Sequence, residues 1–155
     1  MPAKLIKRSA ARLAAVQALY QMEVGGADLG DILQEFEIEW PAHGEDNEPR
    51  LDAEAKFFRT LVEGVVREQR ALDPLVDAAL KESWPLGRVE AVLRAVLRAG
   101  AYELAYMQEV PARVVVSEYV DVAAAFLNRH ETGMVNAVLD QLARKLRAAE
   151  FEQAR

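Results

Sequence analysis

Cysteine is absent from the chain, which excludes disulfides, thiolate metal sites and thiol nucleophiles. That absence fits a reducing compartment. Histidine occurs only as His43 and His130, so neither H-x-x-x-H nor H-E-x-x-H metal spacing exists, and both read as surface residues. Ser9, Ser83 and Ser117 are the only serines, and none sits in a G-x-S-x-G elbow. Gly25-Gly26, Gly64 and Gly87 match no phosphate-cradling pattern, and the carboxylate pairs Glu37/Glu39 and Glu150/Glu152 fall on solvated segments. No catalytic residue, metal ligand, cofactor or small-molecule substrate is therefore assigned, and the expectation is that the chain is not an enzyme. No uncharged apolar run approaches the roughly 18 residues that span a bilayer, so no membrane partner is expected. Residues 1–22 are basic and lack acids, as in an organellar transit peptide. Arg12 interrupts any secretory apolar core, and the helical pattern runs on into Tyr20 and Met22, which favours a folded helix in a cytoplasmic protein.

Apolar residues make up 52% of the 155 and charged residues 28%, the balance of one globular domain. Net charge is −6, which by itself argues against a nucleic-acid partner. The distribution says more than the total. Lys4, Lys7, Arg8 and Arg12 stand without an acid in residues 1–22, whereas residues 23–54 hold eleven acids against Arg50 alone. A basic arm beside an acidic segment suggests one nucleic-acid-facing end, with Glu45, Asp46 and Glu48 repelling RNA elsewhere. An ordinary amphipathic surface helix is the alternative.

With six prolines and eight glycines, long stretches are free to be helix, and apolar spacings of three and four run almost throughout. Helices are predicted at 4–24, 28–40, from after Asp52, from Asp73-Pro74 to before Pro85, and at 87–107, 111–127 and 133–150. The wide apolar face of 87–107 makes it the candidate central helix. The fold class is all-α: a single domain of about seven helices in two packed sub-bundles, about 4–72 and 74–150, with 1–3 and 151–155 frayed. In the first helix Leu5, Ser9, Leu13, Val16 and Tyr20 share the apolar face. Lys4, Lys7, Arg8 and Arg12 lie opposite, where a row of cations can meet successive phosphates. Tyr20 reads first as a core residue with its hydroxyl at the edge, and second as a base-stacking platform. Phe126 reads as inward.

Four words then stand out in order. Arg8-Ser9-Ala10-Ala11-Arg12 running into Val16-Gln17-Ala18-Leu19-Tyr20 resembles the opening of the NusB family of bacterial transcription antitermination factors. Leu97-Arg98 with Tyr102-Glu103-Leu104 is similar to that family's L-R-x-x-x-Y-E-L. Val110-Pro111, Val114, Glu118 and Val122-Ala123 resemble its V-P-x-x-V-x-x-N-E segment, and Met134-Val135-Asn136-Ala137-Val138-Leu139-Asp140 its F-V-N-G-V-L-D. The resemblance spans Arg8–Asp140. It implies two helical sub-bundles and binding to boxA-type elements of ribosomal RNA leader transcripts together with a NusE-type small-subunit ribosomal protein. Through these it implies an indirect link to an antitermination complex with RNA polymerase, and so a role in regulating transcription termination. By the same resemblance the RNA-binding residues are Lys4, Lys7, Arg8, Arg12, Gln17, Tyr20, Arg129, Thr132 and Met134. Met134 stands where the family has phenylalanine, Ala137 where it has glycine, Ser117 where it has asparagine, and His130 where it has an acid. Asn136 reads as a helix-anchoring hydrogen-bond residue and Asp140 as a surface acid. NusB-like domains also precede ribosomal RNA cytosine-5 methyltransferases, but those need a further domain and a nucleophilic cysteine, so a free-standing binding factor is expected. A helical protein–protein scaffold that binds no RNA is the competing reading.

Overall fold

Helix is the only regular structure among the described residues, which in this computed structural model are 3–39, 50–80 and 85–152. The order is α1 (Ala3–Gly25), α2 (Leu29–Glu39), α3 (Arg50–Ala79), a 3-10 turn (Leu86–Arg88), α4 (Ala91–Tyr106), α5 (Ala112–Phe126), α6 (Arg129–Leu146) and the short α7 (Ala148–Glu152). No helix among the described residues is long and apolar enough to cross a membrane. The segment containing His43, Glu45, Asp46 and Glu48 lies outside them, as do the side chains of Lys4 and Lys7.

The helix at the centre is α4, as its wide apolar face predicts: it packs against α1, α3, α5 and α6, and Leu93, Val96, Leu97 and Leu104 are buried. Two glycines permit that crowding. A Cβ at Gly64 of α3 would come within 2.2 Å of the Tyr102 ring, and one at Gly100 of α4 within 2.8 Å of Leu139 Cδ1. Each helix pair therefore approaches over a missing side chain. On the other flank, Phe36 of α2 stacks on Phe58 of α3 with ring centroids 5.3 Å apart.

Three boundaries differ from expectation. The break predicted at Asp73-Pro74 is absent, and Pro74 lies inside α3. Proline there deprives the Arg70 carbonyl of its donor. Arg70 and Pro74 are both exposed, while Leu72 and Val76 are buried on the other side and Arg98 grips Asp73 through a two-bonded fork (2.8 and 2.9 Å). Tertiary burial on both sides of the proline holds the turns on one course. The segment predicted from 87 divides instead into the 3-10 turn and α4. Asp77 accepts from the Leu86 amide (2.8 Å), and Arg94 donates to the Leu86, Gly87 and Val89 carbonyls. Lastly, α6 starts four residues before Gly133, because Asn128 and Glu131 form a reciprocal capping box. Gly133 sits within the first turns of the helix, with open space where a Cβ would go.

Of the terminus expected to fray, residues 151 and 152 lie in α7, and 153–155 lie outside the described residues. Arg147, only 4% exposed, donates to the carbonyls of Glu103, Leu104, Met107 and Val110, where α4 ends and its negative dipole end concentrates. Glu150 accepts from Arg147 and from the Ala112 amide that opens α5. Phe151 lies between the guanidiniums of Arg113 and Arg144. The Ala112 amide, followed by Arg147, holds the Glu150 carboxyl below its ordinary pKa. Its contribution is therefore present above the ordinary carboxylate range and lost as pH falls through the depressed value.

Gly64→Ala is expected to destabilise by roughly 1–3 kcal/mol through overpacking against Tyr102. Gly133→Ala should instead stabilise by about 0.5–1 kcal/mol, since the new methyl has room and alanine favours helix. Urea unfolding of the two variants checks the opposite signs. Acidification should speed hydrogen exchange at the Ala112 amide before the α4 core amides respond.

Candidate nucleic-acid interface

The apolar stripe of α1 docks on α3 and α4, burying Ala11, Ala14, Ala15, Val16 and Ala18 and fixing which residues remain outside. Arg12 is not among them. It is 1% exposed. Its Nε and Nη2 donate to the two oxygens of Glu103 on α4 (2.7 and 2.9 Å), and its Nη1 donates to Glu118 on α5 (2.8 Å). Tyr119 donates to Glu103, and Ser9 to Glu118 at 2.5 Å. Burial alone would lower the Arg12 pKa. The hydrogen bond and charge of Glu103, with Tyr119 and Glu118, outweigh burial and raise it above its ordinary value. Burial, then the Glu103 carboxylate, pushes the Tyr119 phenol well up, so it keeps its proton. The expectation that Arg12 lies on a solvent-facing basic row is thus corrected: its donors are spent inside the protein. The cause is long-range, since Glu103 and Glu118 arrive from 91 and 106 residues away.

Arg8, one turn earlier, stays half-buried, its guanidinium 4.6 Å over the Phe57 ring. Gln17 and Tyr20 are exposed, and Tyr20 at 39% is no core residue. With Gln21, Phe36, Val92 and Phe126 they line a cleft of about 580 Å³ walled by α1, α2, α4 and α5. Phe126, read as inward from periodicity, is also 39% exposed. It lies in the last turn of α5, where the packing that covers Val122 has run out. A second cleft of about 540 Å³ runs between α5 and α6 and is lined by Arg113, Ser117, Asp121, Arg129, Thr132, Asn136 and Asp140, with Phe151 at its side.

The predicted residues therefore divide. Gln17 and Tyr20 belong to the first cleft, Arg129 and Thr132 to the second, and Phe126 of the first stands three residues before Arg129 of the second. Met134 is half-buried against the core and lines neither. Asn136, expected to anchor a helix, is exposed in the second cleft, while Asp140 pairs with Arg144 (2.9 Å) as a surface acid. His130 is exposed on the first turn of α6. Phe126, Gln21 and Arg113 escaped the sequence reading. The Asn128-x-x-Glu131 box, which ends α5 and starts α6, is the signal that puts Phe126 at a helix end. Among the described residues no group of three or more His, Asp or Glu is placed to hold a metal.

An all-helical protein with aromatic rings exposed in one cleft and both arginines and acids in another belongs to the class of small helical-bundle proteins. The comparisons narrow the class. The NusB family model matches residues 9–144. Transcription antitermination protein NusB of Nitrobacter hamburgensis is 62% identical over 148 residues, covering 96% of this chain and 92% of that protein. Its counterpart in Bradyrhizobium diazoefficiens is also 62% identical, covering 96% and 90%. NusB of T. maritima superposes with a TM-score of 0.78 at 28% identity, covering 98% of each chain. A chain from the crystal structure of antitermination factors NusB and NusE in complex with dsRNA shares the fold (TM-score 0.75, 23% identity, 90% and 97% covered). The chain belongs to the NusB family.

Arg12→Ala should cost roughly 3–5 kcal/mol, because it strands the buried Glu103 carboxylate. Arg129→Ala, at an exposed site, should stay within about 0.5 kcal/mol of the parent. Denaturant midpoints at neutral pH distinguish the two.

Proposed function

We propose that the chain is a cytoplasmic transcription antitermination factor that binds boxA-type RNA jointly with a NusE-type ribosomal protein, and through that complex acts on RNA polymerase. It holds partners together and makes or breaks no bond. Membership of the NusB family supports the biological role. The observation that carries the RNA reading is the first cleft, where Tyr20 and Phe126 stand exposed beside the amides of Gln17 and Gln21. Unpaired bases stack on such rings, and amides read base edges. Arg129 supplies a cation in the second cleft, and Thr132 adds a hydroxyl beside it; Arg8, Lys4 and Lys7 of α1 are further proposed RNA contacts. Met134 serves this reading only as support beneath the surface. Arg12 takes no part as a phosphate ligand.

The NusB–NusE–dsRNA complex shows a fold relative engaged with both kinds of partner. Exposed rings and arginines also suit a protein partner, so the competing scaffold reading is separated by solution behaviour. Salt separates the readings. Log affinity for single-stranded RNA should fall linearly with log salt, and Arg129→Ala should lower the slope by about 0.7. Phe126→Ala should weaken RNA binding by roughly 1–3 kcal/mol with the NusE-type partner still bound. Salt-independent RNA binding, or RNA affinity unchanged in both variants, would refute the proposal.

A further inference from the structure

The buried cluster and the aromatic cleft share three helices. Arg12 and Tyr20 are on α1, Glu103 and Val92 on α4, and Glu118 and Phe126 on α5. On α1 and α5 the step from cluster to cleft is eight residues toward the C-terminus, about 12 Å along each helix. On α4 it is eleven residues toward the N-terminus, about 16 Å. The cluster therefore clamps three of the cleft's four walls at one level, and the same helices carry the clamp's geometry to Tyr20 and Phe126. A slot for a flat base tolerates little change in wall spacing, and preorganised walls bind more tightly than walls that must be ordered.

We infer that Arg12 is a positioning residue for RNA binding: with Glu103, Glu118 and Tyr119 it sets the spacing of α1 against α4 and α5, and so fixes how Tyr20 and Phe126 are presented on the walls of the first cleft. This rests on the RNA reading of the first cleft. The guanidinium itself never touches RNA. Its planar fork matters, because two of its nitrogens meet both oxygens of one carboxylate while a third reaches the neighbouring helix. A lysine keeps the charge but cannot reproduce that fork.

The test uses the full chain with the NusE-type partner and single-stranded boxA-type RNA, and compares Arg12→Lys, Tyr119→Phe and Tyr20→Ala, singly and combined. Tyr119→Phe removes one hydroxyl from the cluster and guards against a failure of Arg12→Lys to fold. Folded Arg12→Lys and Tyr119→Phe proteins should each lose RNA affinity, Arg12→Lys by about tenfold, within the range of one lost base–aromatic stack. Both should keep the parental salt slope. Added to Tyr20→Ala, neither should weaken binding further, because the wall it positions is gone. Wild-type affinity in the folded single variants, or losses that add fully to that of Tyr20→Ala, would overturn the positioning role alone. An unchanged affinity in Tyr20→Ala would overturn the RNA reading of the cleft, and the positioning role with it.

Discussion

A guanidinium removed from water costs several kcal/mol unless its donors and its charge are both answered. Arg12 is answered on every nitrogen, and the rest of the molecule is arranged around that fact. Glu103 supplies two oxygens from the central helix, Glu118 supplies a third from α5, and Tyr119 and Ser9 complete the carboxylates. No apolar contact could specify so narrowly how α1 sits across α4 and α5. Hydrophobic burial drives the helices together, and the ion-pair cluster selects one arrangement of them.

Glu103 is held from two directions. Its side chain takes Arg12 and Tyr119, while its backbone carbonyl takes Arg147 (3.1 Å). The two buried arginines thus meet at the last turns of α4, one arriving from the start of the chain and one from its end. Arg147 also closes the α4–α5 turn through Met107 and Val110, and Glu150 caps α5 from the same short segment. The chain's ends are tied to its central helix by charge-assisted hydrogen bonds, which leaves the opposite end of α4, near Val92, to form a cleft wall.

The helical fold was legible because it depends on periodicity. A stripe at spacings of three and four marks a helix whatever it packs against, and α1, α2, α4 and α5 begin and end within a few residues of their expected limits. Most of the errors lie where a distant residue decides. Arg12 shares a wheel position with Lys4 and Arg8, but a wheel describes one axis and cannot show that two carboxylates descend on that face. Tyr20 and Phe126 fall on apolar stripes near helix ends, where the stripe outlasts the neighbour that would cover it. Pro74 would end an isolated helix, and it is tolerated because Leu72, Val76 and the Asp73–Arg98 pair hold both sides. Asn128-x-x-Glu131 was readable locally, but Gly133 was given the role of helix start. Of the candidate RNA-binding residues, Gln17, Tyr20, Arg129 and Thr132 come to the two clefts, while Met134 and Arg12 turn inward.

Arg12 works from inside the protein, on the helix proposed to face RNA. Nuclear magnetic resonance of the Arg12 Nε–H group tests it most directly, before and during titration with boxA-type RNA. The expected result is a slowly exchanging proton shifted by its carboxylate partner, present in the free protein and still protected from water when RNA is saturating. Rapid exchange with water in the free protein, followed by protection only on RNA binding, would contradict it.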